Sequence, residues 1–149
     1  MALTSRPLNV KDHPALINLW VKSWQQALPQ IDFEARREWF TVYLPKLEEQ
    51  GFKLLGAFDQ NQPLLGFVAI HPQTHILDQI AVSIKAKGQN IGAELIKSAK
   101  LISPQKIILT VNTDNSRAIA FYKKHGFVES GVKSANITSG LNCMEMQWC

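Results

Sequence analysis

Apolar positions along this chain fall into runs whose period changes several times, and each change marks an element. The opening "LTSRPLNV" reads as a short strand. Asp12 as an N-cap, Pro14 in a first turn, and Leu16, Ile17, Leu19, Trp20 and Trp24 at helical spacing then predict a first helix. The loop "QQALPQ", which Pro29 keeps from being helical, separates it from a second. That second helix starts after Asp32, carries Phe33, Arg37, Phe40 and Leu44 on one side, and is expected to end at Pro45. After Gly51 the period shortens. "FKLLGAF", the polar "DQNQP" and "LLGFVAI" read as an antiparallel hairpin, and "HILDQIAV" as the next strand.

A helix with Ile91, Leu95, Ile96, Ala99 and Ile102 as its buried stripe follows. The strand "KIILTV" comes next, its consecutive apolar residues suggesting burial on both faces. Asn115 is placed to cap a further helix through Ala118, Phe121 and Tyr122. Gly126 terminates it, with Lys123 and Lys124 near its negative end. "FVESGV" and "CMEMQW" finish the chain as strands. This order predicts an α/β (α+β) fold in one domain over residues 1–149. The sheet is expected to be mixed and mostly antiparallel, of about six to seven strands, with helices on both faces.

Composition narrows the function classes. With 46% hydrophobic and 19% charged residues the chain has a core to bury, which excludes a disordered tail. The net charge of +4 suits a polyanionic ligand such as a nucleotide. No run of basic and aromatic residues forms a nucleic-acid stripe, so no nucleic-acid partner is expected. Cys143 and Cys149 belong to no Cys-x-x-Cys and match no histidine pattern, so they read as reduced thiols rather than a metal site. No apolar run reaches signal-peptide or membrane-span length, and a cytoplasmic protein without a membrane partner is expected. A homodimer is left open.

The stretch "SIKAKGQNIGAELIKSAK" carries the first chemical signal. A helix that starts directly after a strand leaves its first N–H groups without backbone partners, and the macrodipole makes that end attractive to anions. Gly88 and Gly92 lack a Cβ and give room, Asn90 tolerates positive φ, and Lys85 and Lys87 add charge. The stretch is neither a P-loop nor a Gly-x-Gly-x-x-Gly, and it reads either as a pyrophosphate cradle or as a plain helix start.

A second stretch, "TVNTDNSRAIAFYKKHGF", gives the first its context. A strand, Asn115, Ala118, Phe121-Tyr122 and Gly126-Phe127, downstream of a strand and "KGQNIGAELI", resembles the GCN5-related N-acetyltransferase superfamily. The family's loop, Gln/Arg-x-x-Gly-x-Gly/Ala, falls on Lys87, Asn90 and Gly92, where two of the three positions depart from it. Lys keeps a cation without the guanidinium fork, and Asn keeps left-handed access.

The resemblance implies that acetyl-coenzyme A lies in a V-shaped gap between the strands read at Ile76 to Val82 and Lys106 to Val111. Ile80, Ala81 and Val82 would then line its pantetheine, which pairs with the first strand as an added strand would. The Ile80 N–H would polarise the thioester carbonyl. Lys87, Gly88, Gln89, Asn90, Ile91, Gly92 and Ala93 would take the pyrophosphate, and Asn115, Ala118 and Tyr122 would meet the cofactor from the next helix.

Direct attack of an amine on a thioester expels a thiolate, and the Tyr122 phenol is the candidate acid for it. An isolated tyrosine beside Phe121 would also suit a core position. Asp78 is the candidate base, placed by alternation on one face with Ile76, Ile80 and Val82; a hydrogen-bonding structural role is equally open to it. His75, on the opposite face, His71 and Glu34 are further candidates. Trp20, Trp24, Trp39 and Tyr43 recur at helical spacing, as core or as the wall of an acceptor cleft.

The leading expectation is therefore an acetyl-CoA-dependent N-acetyltransferase acting on a small-molecule or peptide amine in a ternary complex. Neither a metal nor a cysteine nucleophile is expected to take part. The alternative is a non-catalytic module that binds coenzyme A or another nucleotide.

Overall fold

The computed structural model describes residues 3–60, 63–86, 88–135 and 142–149. Seven strands, β1 (Leu3–Pro7), β2 (Lys53–Asp59), β3 (Leu64–Ile70), β4 (Leu77–Val82), β5 (Ile107–Asn112), β6 (Val128–Ala135) and β7 (Asn142–Trp148), accompany four α-helices. These are α1 (His13–Ala27), α2 (Arg37–Glu49), α3 (Ile91–Ile102) and α4 (Ser116–Lys124). The strands form two antiparallel sheets, ordered β1-β2-β3-β4 and β5-β7-β6. Among the described residues one parallel bridge, between Ile76 and Ile108, joins them. The expected mixed, mostly antiparallel sheet is thus present, divided where β4 meets β5.

Two apolar clusters cover the first sheet. On one face α1 and α2 bring Leu16, Trp20, Phe40, Leu44 and Leu47 against Phe67, Ala69 and Ala81. On the other, α3 lays Ile91, Leu95 and Ile96 against Val68 and Ile70, and the same cluster runs on to Leu109, Met146 and Tyr122. Each such fully buried aliphatic side chain contributes about 1.5–3 kcal/mol. Helices therefore occupy both faces, as the periodicity implies.

Three local readings need correction. Asp12 stands at the N-cap position of α1 as expected, but its side chain makes no cap bond there. The side-chain cap belongs to Asn9, which opens the 3-10 turn Val10–Asp12: it accepts from the Lys11 N–H, and the Asp12 carboxylate returns the bond in a capping box. That carboxylate is also held by Arg6, at 2.9 and 3.0 Å. Pro45 lies inside α2 rather than ending it. Its ring forgoes one helical bond, and the burial of Leu44 and Leu47 on either side offsets that loss. The strand read from His75 starts later. His75 takes φ +67, in the left-handed region, and β4 begins at Leu77.

Candidate active site

β4 and β5 run parallel from the Ile76–Ile108 bridge, where the Ile108 N–H donates to the His75 carbonyl at 2.8 Å, and no ladder joins them beyond it. His75 Nδ1 also meets Ser103 Oγ at 2.8 Å, and that hydroxyl donates to the Lys106 carbonyl. Because serine has one proton to give, the imidazole must donate to it, which fixes the tautomer with Nδ1 protonated. His75 is thereby part of the closed end of the gap.

Further along, the Ser83 N–H donates to the Leu65 carbonyl at 2.7 Å. Alternation in an antiparallel ladder then turns Ser83, Ala81 and Gln79 towards β3, and leaves the N–H and C=O of Ile80 and Val82 facing the gap. The edge of β4 that the family resemblance would give to pantetheine is unpaired at those two residues.

At the mouth of the gap the chain turns through a 3-10 segment, Ile84–Ala86, into α3. Gly88 has φ +83, and an added Cβ there would meet nothing within 4 Å. Asn90 is left-handed (φ 61, ψ 25) and its side chain does not cap the helix. The first intrahelical bond is from the Glu94 N–H to the Asn90 carbonyl, so the N–H groups of Ile91, Gly92 and Ala93 are left facing outward from the helix end. Gln89 is exposed beside them, its N–H on the Ala86 carbonyl at 3.3 Å. Lys87 lies outside the described residues. Gly92 departs from expectation: a Cβ would come within 2.9 Å of the Phe121 ring, so its missing side chain admits α4 rather than a ligand.

The "N..A..FY..GF" pattern is a helix with both ends tied. Asn115 Oδ1 accepts from the Ala118 N–H at 3.1 Å, which orients the amide and turns its protons away from the helix end. Gly126 is left-handed (φ +92), the Gly126 N–H reaches the Lys123 carbonyl and the Phe127 N–H the Tyr122 carbonyl. This is a Schellman ending, and it folds Phe127 back against Tyr122 with ring centroids 5.6 Å apart. Tyr122 is buried, and burial alone pushes its phenol well above the ordinary tyrosine range. Its hydroxyl bonds to no group among the described residues.

Asp78 does not share a face with Ile80 and Val82. Ile70 pairs with Leu77 and Ala69 with Gln79, so Asp78 is the extra residue of a β-bulge. The bulge inverts the alternation before it, and Asp78 faces α2, where the Tyr43 hydroxyl donates to its Oδ2 at 2.7 Å. Gln79 Nε2 donates to the same oxygen at 3.2 Å, and Trp20 Nε1 donates to Gln79 Oε1 at 3.0 Å. Trp39 stacks on Tyr43 with centroids 4.7 Å apart and is 42% exposed.

Gln79 escaped the sequence reading. The signal was present in "ILDQIAV", where two adjacent polar residues interrupt the alternation of an apolar strand. The other base candidates stand apart. His71 is buried with Nε2 on the Gln50 carbonyl at 2.8 Å and Nδ1 accepting from the N–H groups of Gln73 and Thr74, while Glu34 is exposed and paired with Arg37 at 2.7 Å. Cys143 is buried and donates to Asn112 Oδ1 at 3.2 Å; Cys149 is exposed. Among the described residues no three His, Cys, Asp or Glu groups gather as metal ligands do, and no helix is long and apolar enough to cross a membrane.

The divided sheet, the left-handed turn into α3 and the tied α4 together define an acetyltransferase scaffold. The sequence model of the acetyltransferase (GNAT) family matches residues 13–127, and the chain belongs to that family. A peptidyl-lysine N-acetyltransferase of Salmonella typhimurium, YjaB, is 33% identical over 73 residues, 49% of this chain and 48% of that protein. The matched segment thus spans about half the length of that relative. Among solved structures, apo YjaB from Escherichia coli superposes with a TM-score of 0.80 at 19% identity, covering 99% of this chain and 98% of that one. The PaiA N-acetyltransferase of Thermoplasma acidophilum, solved with coenzyme A, gives 0.76 at 22% identity over 99% of both chains.

Proposed function

We propose that the protein transfers an acetyl group from acetyl-CoA to a primary amine by direct attack in a ternary complex. One observation carries the reading: β4 and β5 part beyond Ile76–Ile108, with the unpaired backbone of Ile80 and Val82 on one side and the uncapped end of α3 at the mouth. The residues present fit a pantetheine diphosphate. The β4 edge offers N–H and C=O groups to an extended amide chain, and the open space at Gly88 lets phosphate oxygens reach the α3 N–H groups.

Acetyl-CoA supplies an activated acetyl group as a thioester. The Ile80 N–H donates to its carbonyl, and Asn115 and Ala118 border the same arm from α4. Asp78 accepts the amine proton as the N–C bond forms. Tyr122, held protonated by burial, gives its proton to the sulfur as the C–S bond breaks and regains one from solvent. The acceptor is an amine. Since the Salmonella relative bears the name of a peptidyl-lysine acetyltransferase, a lysine ε-amine is the first acceptor to test.

The test combines calorimetric titration of coenzyme A with thiol release from acetyl-CoA across a panel of lysine peptides, amino acids and polyamines. Binding with thiol release and a mass gain of one acetyl on an amine supports the reading. Binding without turnover on any amine favours a non-catalytic coenzyme A module, and no binding overturns both.

A further inference from the structure

Asp78 meets its neighbours through one oxygen only. The Tyr43 hydroxyl and Gln79 Nε2 both donate to Oδ2, at 2.7 and 3.2 Å. Oδ1 has no partner among the described residues, and Asp78 is half-buried. The orientation of the Gln79 amide follows from its other end. An indole N–H can only donate, so the Gln79 atom at 3.0 Å from Trp20 Nε1 must be the oxygen, and the NH2 is turned to Asp78. Tyr43 is likewise locked as a donor. Burial, with the hydrogen bond and charge of Asp78 behind it, pushes its phenol upward, so the proton stays on the tyrosine.

We propose that Tyr43 and Gln79 are positioning residues that hold Asp78 by Oδ2 and leave Oδ1 as the oxygen that takes the amine proton. This rests on the reading of Asp78 as the base. In the step it serves, the N–C bond forms, the ammonium proton passes to Oδ1, and the neutral carboxylic acid later returns it to solvent. Two donors on Oδ2 fix the plane of the carboxylate, so that Oδ1 is presented in one orientation. The groups around Asp78 leave few other sources of charge. α2 brings Tyr43, α1 the Trp20 indole, β3 the apolar Ala69 and Ile70, and β5 meets β4 through Ile108, while His75 at the entry to β4 turns Nδ1 to Ser103.

The experiment is steady-state kcat and KM for the amine in wild type, Tyr43→Phe, Gln79→Met and Asp78→Asn, with acetyl-CoA KM and melting temperature measured beside it. Tyr43→Phe should lower kcat about tenfold, with amine KM, acetyl-CoA KM and melting temperature nearly unchanged. Gln79→Met should lower kcat by less, and decides the matter if Tyr43→Phe does not fold. If Asp78→Asn abolishes turnover while both donor variants keep the wild-type kcat, the positioning role is wrong and the base assignment stands. If Asp78→Asn keeps the wild-type rate, the base assignment itself falls, and the positioning role with it.

Discussion

Phe127 folds back on Tyr122, its N–H on the Tyr122 carbonyl at 3.0 Å and the two rings 5.6 Å apart. The turn that allows this is Gly126, at φ +92, where a Cβ would press on Trp148 at 3.1 Å. Gly126→Ala should therefore lower stability by about 1–2 kcal/mol, the cost of a left-handed non-glycine residue. It should also reduce turnover more than coenzyme A affinity, because the ring it releases carries the proposed acid. Thermal melting and steady-state kinetics on the same sample check both; equal melting with normal turnover would contradict the account.

Tyr122→Phe keeps the packing and removes only the hydroxyl. Coenzyme A affinity should stay within a few-fold of wild type while kcat falls by about 10²–10⁴, the usual worth of a positioned acid. The same hydroxyl governs alkaline stability. The folded phenol is raised above its ordinary 10.0, so above that pH the unfolded chain releases a proton that the folded chain keeps. Stability present below pH 10 should then fall as pH rises, by about 1.4 kcal/mol per pH unit for this group, and the slope should weaken in Tyr122→Phe. Denaturant titrations between pH 9 and 11 read it directly.

Gly88 and Gly92 look alike in sequence and should respond differently. Gly92→Ala places a methyl within 2.9 Å of Phe121 and should cost about 1–3 kcal/mol of stability, recovered in part by Phe121→Leu. Gly88→Ala meets no atom, but its φ of +83 strains the turn. Its stability should fall by about 1 kcal/mol while coenzyme A affinity falls further, since the methyl enters the space offered to phosphate. Melting temperature and calorimetry on the two variants separate packing from binding.

That contrast marks what a single sequence can carry. The stripes of α3 and α4, the Asn115 cap, the Gly126 ending and the β2–β3 hairpin are local patterns, and each is legible because its partners lie within a few residues. The Gly92–Phe121 contact joins positions on different helices. The bond between Tyr43 and Asp78 spans 35 residues and depends on a bulge that reverses the face of Asp78. Pro45 is the converse case, a strong local stop signal overruled by the burial of Leu44 and Leu47 around it. Local chemistry thus reaches the turn into α3 and the two ends of α4, while the Tyr43–Asp78 contact needed the fold.

Trp39 gives the acceptor side its own test. Its ring stacks on Tyr43 at an interplanar angle of 15°, and Tyr43 reaches Asp78, yet the indole is 42% exposed and so contributes little to the core. An exposed aromatic face beside a lone carboxylate suits an ammonium carried on an apolar stem, with the charge attracted to both the ring and the acid. Trp39→Ala should therefore raise the amine KM about two- to thirtyfold, equivalent to about 0.5–2 kcal/mol of cation–π attraction, and leave acetyl-CoA KM and the melting temperature nearly unchanged. The effect should be largest for a lysine peptide and smaller for a polyamine, whose further charges find no second carboxylate among the residues bonded to Asp78. An unchanged KM for every acceptor would place the amine elsewhere, and a matching rise in acetyl-CoA KM would show that the ring supports the gap rather than the acceptor.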